Sequence, residues 1–192
     1  PASTMDEWYI FDTVENKVVV DYESPLAKTV AWAVGIANDA SHGYSCIGEQ
    51  TKDNYKIEYA RWGEYGDYSC STLVAMAYEL AGIENMRNIA KAYNVQCNYG
   101  TGLNYSSLAQ ILTISDKFQQ ISLGNYQAGD ILISNRHNHV AMSIGNGKIV
   151  EAMMNELGQE FAVPAPGDQT GEEIRITSDY GGWTSAFRSL IE

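Results

Sequence analysis

Apolar positions along the chain recur at two spacings, and the change from one to the other divides it. Leu26, Val30, Ala33, Val34 and Ala37 fall three or four residues apart, which gathers them on one face of a helix running through LAKTVAWAVGIANDA. Ser24-Pro25 starts that helix, with a serine as cap and a proline at the first helical position. A loop with aromatic residues and glycines covers residues 41–67. A second helix is predicted from Cys70 through STLVAMAYELAG, with Leu73, Ala77 and Leu80 on one face and Gly82 as its stop. A third begins at Ser106 or Ser107 and covers LAQILTIS. From Phe118 onward the apolar runs are short: FQQISL, DILIS, HVAMSIG, KIVEAM, EIRIT and a last strand near Ala186–Leu190. Helices followed by an antiparallel sheet predict an α+β fold. Ahead of all this, Trp8–Tyr22 reads as a hairpin with a polar turn near Glu15-Asn16. The expected organisation is therefore an N-terminal hairpin extension over 1–24 and one domain over 25–192.

Three residues stand where chemistry is expected. Cys70 opens an amphipathic helix, where free N–H groups and the helix dipole stabilise a thiolate, the reactive form of cysteine. Its plain alternative is a buried small side chain. His139 opens a strand whose Val140, Met142 and Ile144 share one face, so the imidazole lies on the other with Ala141 and Ser143. A base there would take a thiol proton and later protonate a leaving amine; the alternative is an exposed strand-edge histidine beside His137. Glu151 would orient the imidazole, or else be a surface glutamate. Hairpin parity discriminates. A two-residue Asn146-Gly147 turn pairs 145 with 148 and 142 with 151, turning Glu151 away from His139. A three-residue loop, 145–147 or 146–148, pairs 151 with 141 or 143 and brings Glu151 to the His139 face. Gly145 and Gly147 suit such a loop, so an odd-length one is predicted.

Composition narrows the classes. The chain has 192 residues, 45% of them hydrophobic, enough for a core. A net charge of −12 without any Lys/Arg cluster excludes nucleic acid as partner. It also disfavours unaided adhesion to an anionic wall. No apolar run approaches the roughly 18 residues a membrane span needs. The opening PASTMDEWYIFD lacks the basic-then-apolar pattern of a signal peptide. Cys46, Cys70 and Cys97 form no C-x-x-C pair, and the histidines show no zinc spacing. A Cys46–Cys97 disulfide stays open. No calcium loop is visible, and neither metal nor cofactor is expected.

In order, Y-S-C-S-T-L-V, G-D-I and H-V-A-M-S-I-G-N-G-K-I-V-E-A resemble the NlpC-type papain-like cysteine peptidases. Residues 32–44 (WAVGIANDASHGY) and 166–180 (PGDQTGEEIRITSDY) are similar to stretches of phage peptidoglycan hydrolases and tail lysins. The resemblance spans about residues 25–190. It implies a nucleophile helix packed on an antiparallel sheet, with Cys70 as nucleophile, His139 as base and Glu151 as the third polar residue. It implies cleavage of an amide in the peptidoglycan stem, or between stem and sugar, with the Cys70 N–H helping to hold the oxyanion. Tyr44 and Ser71 then match substrate-contacting positions. Ser69 occupies the subsite position where the family carries an aspartate that binds a free stem amine; Asp67, two residues earlier, is the expected partial substitute. His42 would line the groove or cap the first helix. Trp62 and Tyr65 would stack on substrate or pack. The expected setting is extracellular or virion-associated, with a separate wall-binding domain or tail component delivering the domain. A papain-like acyltransferase and a non-catalytic wall-binding or virion module are the competing readings.

Overall fold

The computed structural model describes residues 24–46, 50–51, 54–55, 67–96, 103–160 and 165–191. The Trp8–Tyr22 hairpin, Trp62, Tyr65 and Cys97 lie outside the described residues. Helix α1 spans Pro25–Ala37, and the Ser24 hydroxyl accepts the Ala27 N–H at 3.1 Å. It ends with the last apolar position, three residues short of the expected run to Ala40, because the Asn38 and Asp39 amides turn back onto carbonyls of residues 34–36. A short antiparallel strand pair, β1 (Gln50–Thr51) and β2 (Asn54–Tyr55), interrupts the expected loop.

Helix α2, Cys70–Leu80, packs against α1, the helix α4 (Tyr105–Ile114) and the sheet. Being enclosed on several sides, it buries every residue from Cys70 to Tyr78 instead of one stripe. Leu80, assigned to the buried face by spacing, is 58% exposed because it lies in the last turn, past the enclosure. Helix α3, Met86–Ala92, is an addition to the expected set. With seven residues and only Met86 and Ala90 buried, it is too short to show a helical period.

Six strands follow: β3 (Phe118–Ile121), β4 (Ile131–Ser134), β5 (His139–Gly145), β6 (Lys148–Ala152), β7 (Ile174–Ser178) and β8 (Ser185–Ser189). They form one antiparallel sheet in the order β3-β8-β4-β5-β6-β7. The chain is thus an α+β protein in which β4 to β7 form a meander and β8 returns to slot between β3 and β4. A bidentate ion pair fixes that return: Arg188 Nε and Nη2 lie 2.7 and 2.6 Å from the two oxygens of Asp130, itself 1% exposed. Apolar side chains of α1, α2, α4 and one sheet face make the main core. On the opposite face Leu132, Ala141, Ile149, Trp183 and Ala186 form a second cluster. The side of β5 carrying His139 is therefore covered as well, and His139 is 7% exposed, not a solvated edge residue.

Among the described residues no helix is long and apolar enough to cross a membrane.

Candidate active site

The site forms where the start of α2 meets the end of the sheet. Ser69 caps α2: its N–H donates to Thr72 Oγ1 at 2.8 Å, and its Oγ accepts the Thr72 N–H at 3.3 Å. That reciprocal box fixes the first turn and leaves Cys70 as the first helical residue, 9% exposed, beside the helix's leading amides. A parallel bridge between Tyr44 and Tyr68 lays the chain after α1 alongside the approach to the nucleophile position.

His139 opens β5 opposite Ser134. Its Nε2 donates to Glu151 Oε2 at 2.8 Å, which leaves Nδ1 as the ring atom for the Cys70 thiol. Burial opposes charge on the ring. Hydrogen bonds and negative charge from Cys70 and Glu151 outweigh it and raise His139 to about 9. Trp183 stacks on the ring with centroids 6.3 Å apart, held in turn by its Nε1–H to Asp179 at 2.8 Å.

Glu151 reaches the His139 face by an unexpected route. Gly145 pairs with Lys148, so the turn is the two-residue Asn146-Gly147, both at positive φ (51° and 66°). The predicted odd-length loop is absent. The odd residue sits in the strand instead: Ser143 pairs with Ile149, so β5 holds one extra residue, Ile144, in a bulge. Met142 then faces Val150, and Glu151 falls on the Ala141 register, the side of the sheet that carries His139.

Glu151 is completely buried, yet its carboxyl lies below the ordinary range. Burial works against the charge, but His139, Tyr180 and Arg175 outweigh it. Tyr180 donates its hydroxyl to Oε2 at 2.8 Å, and Arg175 brings Nε and Nη2 to within 3.0 Å of Oε1. Arg175 is Glu151's cross-strand partner on β7.

Other expected site residues land differently. Ser71 is 1% exposed and donates its hydroxyl to the Leu103 carbonyl at 2.9 Å, so it ties α2 to the chain before α4 rather than presenting an open face. Ser69 is occupied as the cap. Asp67, the expected partial substitute there, is engaged in holding the loops: its Oδ1 accepts the Gly43 and Gly167 amides at 2.8 and 3.0 Å and clamps two loops together. A Cβ at Gly43 would come within 2.1 Å of the Gly167 carbonyl, so only glycine allows that approach. Glu173 completes the clamp by accepting the Tyr44 N–H at 2.9 Å. The two stretches 32–44 and 166–180 are thus joined in space. His42 rests beside Asp39 (3.9 Å) and Tyr68 (ring centroids 6.0 Å). Tyr44 sets its hydroxyl 2.7 Å from the free thiol of Cys46, and burial, reinforced by the charge at Cys70, pushes Cys46 up to about 12. Cys46 therefore stays a neutral thiol. Among the described residues no group of three or more His, Cys, Asp or Glu is arranged to hold a metal ion.

Sequence reasoning missed Arg175, Tyr180 and Trp183. Arg175 alternates with Ile174 and Ile176 in EIRIT, which marks it as facing away from the main core. The long connection from 153 to 173 hides which residue it meets.

A thiol at a helix start, an imidazole at a strand start and a buried carboxylate behind it, on an α+β frame, define the site class of a papain-like cysteine peptidase. The model of the NlpC/P60 family matches residues 58–163, and the chain belongs to that family. Cys70, His139 and Glu151 all fall within the match. Among solved structures, the chain is similar at 15% identity to the peptidoglycan hydrolase RipB from Mycobacterium tuberculosis, covering 87% of this chain and 67% of that one with a TM-score of 0.42. It is similar at 14% identity to the P60 domain of the M. avium subspecies paratuberculosis antigen MAP1204, covering 87% and 98% with a TM-score of 0.42. No curated protein sequence matches the chain.

Proposed function

We propose that this chain hydrolyses an amide bond in the peptide part of bacterial peptidoglycan, with Cys70 as nucleophile, His139 as acid and base, and Glu151 as its orienting carboxylate. The observation that carries this reading is the 2.8 Å His139–Glu151 hydrogen bond behind a ring that also engages Cys70. The Cys70 thiolate attacks the carbonyl carbon, and the N–H groups at the start of α2 stabilise the oxyanion. The imidazolium then protonates the leaving amine as the C–N bond breaks. A water, deprotonated by the now neutral His139, cleaves the thioester and restores the thiolate. Glu151 holds the ring and favours its charged form throughout. Family membership supports the reaction class. The resemblance of residues 32–44 and 166–180 to phage lysins supports a wall substrate and an extracellular or virion-associated setting. With a net charge of −12, delivery to an anionic wall would fall to a separate wall-binding domain or a tail component.

The test is digestion of purified Gram-positive walls by the protein and its Cys70→Ala variant, with released fragments identified by mass spectrometry. Fragments from the parent alone support the reading. Their new termini name the bond: muramoyl–alanine, stem or cross-bridge. Equal release by Cys70→Ala refutes it.

A further inference from the structure

We infer that Arg175 and Tyr180 are positioning residues that act through Glu151, forming with it a clamp that sets the protonation and aim of His139. This rests on the Cys70–His139 chemistry proposed above. Each acceptor atom of Glu151 has an assigned donor. Oε1 faces the Arg175 fork through Nε and Nη2 at 3.0 Å, while Oε2 accepts both His139 Nε2 and the Tyr180 hydroxyl at 2.8 Å. A carboxylate held from two sides cannot rotate without losing charge-assisted bonds. Its Oε2 lone pair toward the imidazole is therefore fixed in direction. Arg175 is itself steadied by Glu172, whose Oε2 lies 3.1 Å from Nη1. Tyr180 is steadied by packing on Trp183 (centroids 5.4 Å), the ring that also stacks on His139.

The exposure pattern argues for function over packing. Glu151 is wholly buried, but Tyr180 is 52% exposed, so its ring contributes little to the core. What it contributes is one hydroxyl delivered to the carboxylate. Without the Arg175 fork, Glu151 would be a buried carboxylate facing only an imidazole and a phenol, and it would protonate more readily. A protonated Glu151 no longer supports imidazolium, and the Cys70–His139 pair reverts to thiol and neutral imidazole. Among the described residues, the titratable or charged groups facing this unit are Cys70 from α2, Tyr44 and Cys46 from the segment after α1, Arg175 on β7 with Glu172 just before it, and Tyr180 and Asp179 after it.

The experiment measures Cys70-specific alkylation by iodoacetamide against pH, mapped by peptide mass spectrometry, in the parent, Arg175→Met, Arg175→Lys and Tyr180→Phe. The readout needs no substrate. Arg175→Met is expected to move the acid limb of alkylation upward by about one pH unit and slow it about tenfold near neutrality. Tyr180→Phe is expected to make the same shift at smaller size, and Arg175→Lys to restore the limb because it keeps the charge. On wall substrate, kcat should fall in Arg175→Met with KM unchanged. If Arg175→Met fails to fold, Tyr180→Phe alone decides, since it removes one hydroxyl from a half-exposed ring. Parent-like profiles in the folded variants overturn the inference and leave Arg175 a surface partner of Glu172. Shifted profiles in a protein that cleaves no soluble wall fragment, where no delivery is needed, uphold it while refuting the proposed substrate.

Discussion

Glu151 and Glu173 are both withdrawn from solvent, at 0% and 1% exposure, and both accept two-sided hydrogen bonds, yet they are driven in opposite directions. Glu151 lies below the ordinary carboxylate range because the cationic and hydroxyl partners His139, Tyr180 and Arg175 overcome its burial. Glu173 lies above it: burial dominates, its partners are the backbone amides of Tyr44 and Gln169, and Asp168 and Glu156 add like charge. Burial sets the cost of the charge in both places, and the partners decide which form prevails. Glu151 is thereby kept as an anion beside a proton-carrying ring, which is what acid–base chemistry needs. Glu173 fastens a loop, and a carboxyl can do that in either protonation state.

The sharpest way to break this contrast is Glu151→Ala. It should lower turnover by about four orders of magnitude, as loss of a triad carboxylate does, measured as kcat on wall fragments. Asp130 with Arg188 supplies a control, being a buried carboxylate with an arginine fork but no imidazole. Arg188→Met should cost about 3 kcal/mol in chemical denaturation and leave Cys70 alkylation unchanged. Glu173→Ala should cost about 2 kcal/mol by stranding two amides, again with unchanged alkylation. The smallest effect is on titration itself. Carbon-13 NMR should find Glu151 ionising below, and Glu173 above, the usual value of about 4.3. By linkage, the Glu151 contribution to stability is present above that unfolded value and lost as pH falls through its lower folded one. The Glu173 contribution runs the other way: it is present at acid pH and lost as pH rises through its higher folded value. Thermal unfolding of the two alanine variants against the parent across that acid range would register the opposite slopes.

The helix around Cys70 and the strands from Phe118 were legible because each is long enough to show its period and its cap. The α+β layering followed from their order. Glu151 was legible only as a parity question, and the structure reaches the needed parity by a bulge at Ile144 rather than by loop length. Periodicity cannot see that difference, since both insert one residue. Arg175, Tyr180 and the Asp67–Glu173 clamp were invisible for a different reason. They meet their partners across separations of 24 to 129 residues, through loops whose conformation no local pattern encodes. Ser71 and Ser69, which the resemblance places at substrate-contacting positions, also hold the helix start together: Ser71 donates to the Leu103 carbonyl and Ser69 caps α2, tertiary and capping roles that no family motif announces.

In the proposed reaction one thiol, one imidazole and one carboxylate act as a single unit. Nitrogen-15 NMR of the His139 ring, titrated in the parent and in Cys70→Ala, tests this most directly. The expected result is a titration near pH 9 in the parent, falling once the sulfur is removed, with the imidazolium's stabilising contribution intact below about 6.5 and lost as pH rises through 9. A ring that titrates at the same ordinary value with and without the Cys70 sulfur would contradict it.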